Sequence, residues 1–152
     1  MANELNPNIN GCTYAHSSSR IRIDGTVYTR IKSLNYGAGF DGRNHVFGTS
    51  IQPVDETMGL YKPDEPNMEM HRQEFDKLQE KFGDELYTRR FPIVVELSEP
   101  GRPTVKDIIG GCKIKKAAAS SQEGGDPNMV KVDMTCMWVK YNGKPPFPGF
   151  RE

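Results

Sequence analysis

Between Val130 and Trp138 the chain alternates apolar and polar residues. Val130, Val132, Met134, Cys136 and Trp138 fall on one side of an extended strand; Lys131, Asp133 and Thr135, with Lys140 beyond them, fall mostly on the other. A period of two marks a strand with one buried and one wetted face. A second strand-like run, Ile108 to Lys116, precedes it, and a small polar segment, Ala117 to Asn128, lies between. That connection is too long for a tight hairpin turn and carries no helical stripe. The pair reads as a β ribbon with a greasy face to bury and no catalytic signature.

The rest of the chain extends this pattern. Arg20 to Tyr28 reads as a hairpin, RIRI and TVY joined by Asp24-Gly25, a dipeptide that favours a type I′ turn. Ile31 to Tyr36 continues as strand. A long irregular stretch follows from Gly37 to Pro66, with five Gly and three Pro. Loops of that length inside a compact domain are functional or disordered, and this one is too rich in apolar residues for a mere linker. Phe40, Phe47, Ile51, Met58, Leu60 and Tyr61 are therefore candidates for contact with another surface, such as a neighbouring copy. Asn67 to Gln73 reads as a strand. Glu74 to Phe82 is the one clear helix, with Phe75, Leu78 and Phe82 in a single stripe, acids in its first turn, Lys81 near its end and Gly83 as its stop. Phe91 to Ser98 is a further strand, closed by Glu99-Pro100-Gly101. The expected fold is mainly β, an antiparallel sandwich or barrel with one short flanking helix (about residues 74–82) and a long mid-chain loop. Its core candidates are Phe75, Leu78, Phe82, Val132, Met134 and Trp138. The expected organisation is a flexible N-terminal arm (residues 1–19), one β domain (20–144) and a Pro-rich tail (145–152).

Composition narrows the function classes. A chain of 152 residues suggests one domain. Formal net charge is zero, so no global field recruits nucleic acid or membrane. Charge is uneven, however: residues 61–100 hold 6 Lys/Arg against 10 Asp/Glu, and residues 101–152 hold 9 against 5. The three cysteines, Cys12, Cys112 and Cys136, match no zinc spacing, and free thiols in a reducing compartment are expected. The polar start has no apolar signal core, and no apolar run reaches the ~20 residues of a membrane helix. Synthesis and folding in a cytoplasm are expected. Gly37, Gly39 and Gly42 spell G-x-G-x-x-G after a strand, but no helical stripe follows to meet a pyrophosphate. His16, His45 and His71 are scattered, and no nucleophile and base are nominated. Pro145 to Pro148 satisfies P-x-x-P without a basic residue at the usual offsets. The reading is non-enzymatic.

Taken in order, the parts resemble the bacteriophage tail tube protein family. The resemblance rests on RIRIDGTVY, the loop bearing Thr57-Met58-Gly59, NMEMHRQEFDKLQEKFG, FPIVVEL and IKKAAASSQEGGDPNMVKVDMTCMWVKYNGK, covering about residues 20 to 144. It implies hexameric rings joined sheet to sheet and stacked into a virion tail tube, assembled in the host cytoplasm, through which DNA passes without sequence-specific binding. Implied partners are further copies of the chain and other tail proteins: a sheath in a contractile tail, a tape measure, a baseplate or a terminator. No membrane anchor and no cofactor are implied. A lumen must be acidic or neutral for DNA not to stick, so if Arg22, Lys32 and Lys131 face it, acids such as Asp133 must offset them. Two other readings stand beside this one: a tube of a contractile injection or type VI secretion-like device, and a small cytoplasmic β-barrel that binds a ligand.

Overall fold

The computed structural model describes residues 19–98 and 103–152. Most of the expected N-terminal arm, with Cys12 and His16, and the Glu99-Pro100-Gly101 turn lie outside the described residues. Twelve strands and one α-helix follow in the order β1 (Ser19–Ile23), β2 (Thr26–Tyr28), β3 (Ile31–Asn35), β4 (Ala38–Asp41), β5 (His45–Val46), β6 (Asp55–Glu56), β7 (Leu60–Pro63), β8 (Asn67–His71), α1 (Arg72–Phe82), β9 (Phe91–Leu97), β10 (Val105–Ser120), β11 (Met129–Thr135) and β12 (Trp138–Lys140).

Eight strands make one antiparallel sheet in the order β2-β1-β9-β10-β11-β8-β3, with β12 also on β10. The fold is thus mainly β with one short helix, as expected, but the strands do not close into a barrel. β2 and β3 are the two ends of the sheet. The β1–β2 turn has Asp24 at φ 51° and Gly25 at φ 82°, the pair of positive φ values that a type I′ hairpin requires. The Asp24 carboxylate is bound by the guanidinium of Arg89 at 2.8 Å, and the Asp24 carbonyl accepts from Lys81 Nζ at 2.7 Å. The end of α1 is thereby tied to that turn.

β10 is the spine, and it runs four residues further than Lys116, taking in Ala117 to Ser120. Its first half pairs with β9 and its second half with β11. The changeover occurs at Gly110-Gly111, where the β9 register shifts between Ile109 and Cys112. Gly111 has φ 66°, and a Cβ there would meet Met137 Cγ at 2.6 Å. A Cβ on Gly110 would meet the Trp138 ring at 2.1 Å. Facing strands therefore break alternation together, Gly110-Gly111 on one and Met137 on the other.

This break corrects the expectation for Trp138. A one-residue slip sends every later side chain to the opposite face. Val132 and Met134 are fully buried, whereas Trp138 is half-buried on the far face over Gly110, and Val139 takes the core position. Phe75, Leu78 and Phe82 lie in the same core with Ile23, Met68, Met70, Phe91, Ile93 and Ile109. The helix starts two residues before Glu74, with Arg72 and Asp76 paired one turn apart at 3.1 Å, so β8 stops at His71 rather than Gln73.

Gly110→Ala should displace Trp138 and cost about 1–3 kcal/mol of stability, the usual range for overpacking. Urea unfolding followed by tryptophan fluorescence reads both effects, because Trp138 is the sole tryptophan.

Candidate assembly surface

The Gly37 to Pro66 stretch is one long hairpin arm with irregular joints. Ala38 pairs with Pro63, Asp41 with Leu60, His45 with Glu56 and Val46 with Asp55, all in a single register. Gly42 and Gly59 fall opposite each other at its break, with φ 78° and 79°. A Cβ on Gly59 would meet the Asp41 carbonyl oxygen at 2.3 Å, so the glycine permits the close crossing of the two chains. Beyond the break the arm is held by Asn44 carbonyl to Thr57 N–H and Val46 carbonyl to Val54 N–H, each 2.8 Å. No helix begins after Gly37, Gly39 and Gly42. These residues open a strand, which removes the dinucleotide geometry.

The six contact candidates divide between root and outer arm. Phe40 and Tyr61 pair across β4 and β7 and are half-buried. Phe147 of the C-terminal tail packs on both, at ring-centroid distances of 5.7 and 5.2 Å, and Phe150 bridges Phe147 to Trp138 at 5.6 Å each. Lys140 Nζ lies 5.0 Å from the Trp138 ring centroid and pairs with Glu152. The P-x-x-P tail is thus used within the chain, as a strap over the arm's root. Tyr61 also donates its hydroxyl to the Val139 carbonyl (3.4 Å) and accepts the Val139 N–H (3.2 Å), covering the outer edge of β12. Further out the arrangement reverses. Phe47, Ile51, Met58 and Leu60 are exposed, Ile51 completely and Leu60 by 80%, and Val46 and Val54 join them. An isolated monomer rarely presents so many apolar side chains on one projection.

A buried carboxylate holds the root to the sheet. Asp107 of β10 accepts the Tyr36 hydroxyl at Oδ2 (2.5 Å) and the Asn142 N–H at Oδ1 (3.0 Å). Tyr141 stacks on Tyr36 at 6.2 Å. Burial first, and then the Asp107 hydrogen bond, push the Tyr36 hydroxyl far above its usual range, so it stays a donor. These residues were missing from the candidates. An isolated Asp in a strand and a Tyr at a strand end carry no local signal of their pairing across 71 positions.

The two ends of the described sheet form a second part of the surface. Ser19, Arg20, Ile21, Val27, Tyr28, Thr29 and Ile31 line a groove between the two ends of the sheet. Behind it, Tyr28 OH and Glu74 Oε2 are buried without a hydrogen-bond partner among the described residues. Burial, then the nearby carboxylates of Glu74 and Asp24, raise the Tyr28 hydroxyl above its ordinary pKa. On the polar face of β3-β8-β11-β10 two lysines have acids opposite them, while Lys113 stands opposite Thr135. Lys131 stands opposite Glu69, and Lys116 opposite Asp133. Arg22, on the other half-sheet, is offset by Glu96 at 3.3 Å. The acid facing Lys131 is therefore Glu69, and Asp133 serves Lys116. No group of His, Cys, Asp and Glu suited to a metal occurs among the described residues, and no described helix is long and apolar enough to cross a membrane.

No protein-family model and no curated protein sequence matches the chain. Solved structures do. The anti-feeding prophage tube-terminating cap matches with a TM-score of 0.69 at 10% identity, over 93% of this chain and 98% of that one. The SPP1 tail tube matches with 0.64 at 8% identity, over 87% and 80%. A type six secretion system protein matches with 0.55 at 11% identity, over 81% of each.

Tyr36→Phe should cost about 1–3 kcal/mol near neutral pH by leaving the buried Asp107 short of a donor. The raised pKa means that this stability is complete below the unfolded tyrosine value of about 10 and is lost above it. Urea titrations should therefore show the gap between variant and wild type narrowing as pH rises past that value.

The likeness is one of fold: this chain has the fold of the SPP1 tail tube protein, of the anti-feeding prophage tube-terminating cap and of a type six secretion system protein.

Proposed function

We propose that the protein is a structural subunit that assembles with copies of itself into hexameric rings stacked as a bacteriophage tail tube, the conduit for DNA leaving the capsid. The observation that carries this reading is the open sheet. Among the described residues, β2 and β3 end it without pairing to each other. Exposed strand edges are a liability unless something covers them, and a further strand from an identical copy would pair with such an edge. Closing a ring this way uses a heterologous contact, and stacking rings uses another.

The outer arm suits the stacking contact. Its root is fixed to the sheet through Asp107, Tyr36 and Phe147, and its exposed residues Phe47, Ile51, Met58 and Leu60 are free to enter a neighbour. The Glu69–Lys131 and Asp133–Lys116 pairs lower the positive charge of a face that would line the lumen, where a surface dense in Lys/Arg would bind each passing phosphate. Sheath, tape measure, baseplate and terminator proteins are the expected further partners, in the virion tail. A tube of a contractile injection or type VI secretion-like device is the second reading, supported by the same fold in structures from those machines. Small-ligand binding finds less support, because the grooves of the described residues are open rather than enclosed, including the aromatic one formed by Tyr61, Trp138, Phe147 and Phe150.

Replacing residues 43–58 by an Asn-Gly turn preserves the hairpin register and removes the exposed outer arm. The variant should keep the circular dichroism and unfolding midpoint of the wild type while losing rings or tubes in electron micrographs. Unfolding of the variant would place the arm in the core. Unchanged tubes would remove it from the assembly contact.

A further inference from the structure

Two thiols of the described residues, Cys112 of β10 and Cys136 just beyond β11, lie in the gap between two ladders that share one register. Gly110 pairs with Trp138, and Lys113 pairs with Thr135. Two residues separate these pairs on each strand, so the register sets Cys112 opposite Cys136. Met134 directs its N–H away from β10, to the Pro66 carbonyl at 2.9 Å. Its pair with Ile114 is therefore one that exchanges no ladder hydrogen bonds, and the cysteine pair two residues further has the same phase. Opposed Cα atoms at such positions are about 4.5 Å apart, within the ~4.4–6.8 Å that a disulfide spans. Cys112 is fully buried, and Cys136 is half-buried against the same core. The thiols now have separate acceptors. Cys112 donates to the Ile109 carbonyl (3.6 Å) and Cys136 to the Asp64 carbonyl at the arm's root (3.5 Å). Rotation of Cys136 about χ1 turns its sulfur from the arm towards Cys112.

We propose that Cys112 and Cys136 are a modification site, closing an intrachain cross-strand disulfide when the protein meets a small-molecule disulfide. The half-buried Cys136 thiolate attacks one sulfur of the oxidant, forming a mixed disulfide and releasing one small thiolate. Cys112, deprotonated in turn, attacks Cys136 Sγ and displaces the second small thiolate. Two protein thiols lose their protons to solvent and two electrons to the oxidant, which ends as two thiols. Burial pushes Cys136 up to about 11 and Cys112 up to about 12, so both are protonated near neutrality and closure is slow there. The rate rises about tenfold per pH unit over the mildly alkaline range. Closure ties β10 to β11 beside the Gly111–Met137 break and withdraws Cys136 from the arm's root. Neither thiol is then left to cross-link subunits.

The full chain carrying Cys12→Ser is incubated with glutathione disulfide in alkaline buffer and followed by intact mass and non-reducing peptide mapping. The expected product has lost two hydrogens and contains one peptide linking residues 112 and 136. It melts several degrees higher, and a reductant reverses the shift. Cys112→Ser in the same background should stop at a single glutathione on Cys136. A disulfide-linked dimer, a glutathione adduct that never resolves in the parent chain, or two thiols that persist at alkaline pH would each overturn the proposal.

Discussion

The architecture depends on one constraint: β10 must bury odd-numbered residues such as Ile109 in its first half and even-numbered ones such as Cys112 and Ile114 in its second. Two adjacent glycines meet it. Gly110 leaves room for the Trp138 ring, Gly111 adopts a left-handed φ, and Met137 on the facing strand breaks step at the same level. Because both strands flip together, their register survives the fault, and Ile109, Val139, Cys112 and Met134 all reach the core. A side chain at either glycine would strain the join between β9 and β11.

Some margins of this sheet are covered within the chain, and others, among the described residues, are not. The edge of β12 is closed by the Tyr61 hydroxyl, and the arm's root is held by Asp107 and by the aromatic strap of Phe147 and Phe150. By contrast, β2 and β3 end the sheet among the described residues, and the arm beyond Gly42 and Gly59 presents its apolar residues outward. Intrachain contacts thus fix the direction of the arm, and the proposed assembly would use the surfaces left open among the described residues.

Local patterns in the sequence located the elements whose signals are local. Asp24-Gly25 marked its hairpin, and Phe75, Leu78 and Phe82 marked the buried stripe of α1. Alternation placed Val132 and Met134 inside. It failed at Trp138, because period-two counting assumes an unbroken pleat, and the break is set by glycines some twenty-seven positions away, opposite Met137. The arm was legible as apolar and turn-rich, but its single register was not, since strands of two residues carry no periodicity. Asp107 and Tyr36 were invisible for a related reason: a buried polar pair is recognised only when the fold brings its members together.

The most direct test of the central claim is amide hydrogen exchange along β2 and β3, measured from dilute monomer to the highest soluble concentration. If these margins are completed by identical copies, their outward-facing amides should exchange freely in the monomer and become protected as rings form, while β9 and β10 stay protected throughout. Margins equally protected at every concentration would mean that the sheet is already complete in the single chain, and the proposed conduit would have no edge from which to grow.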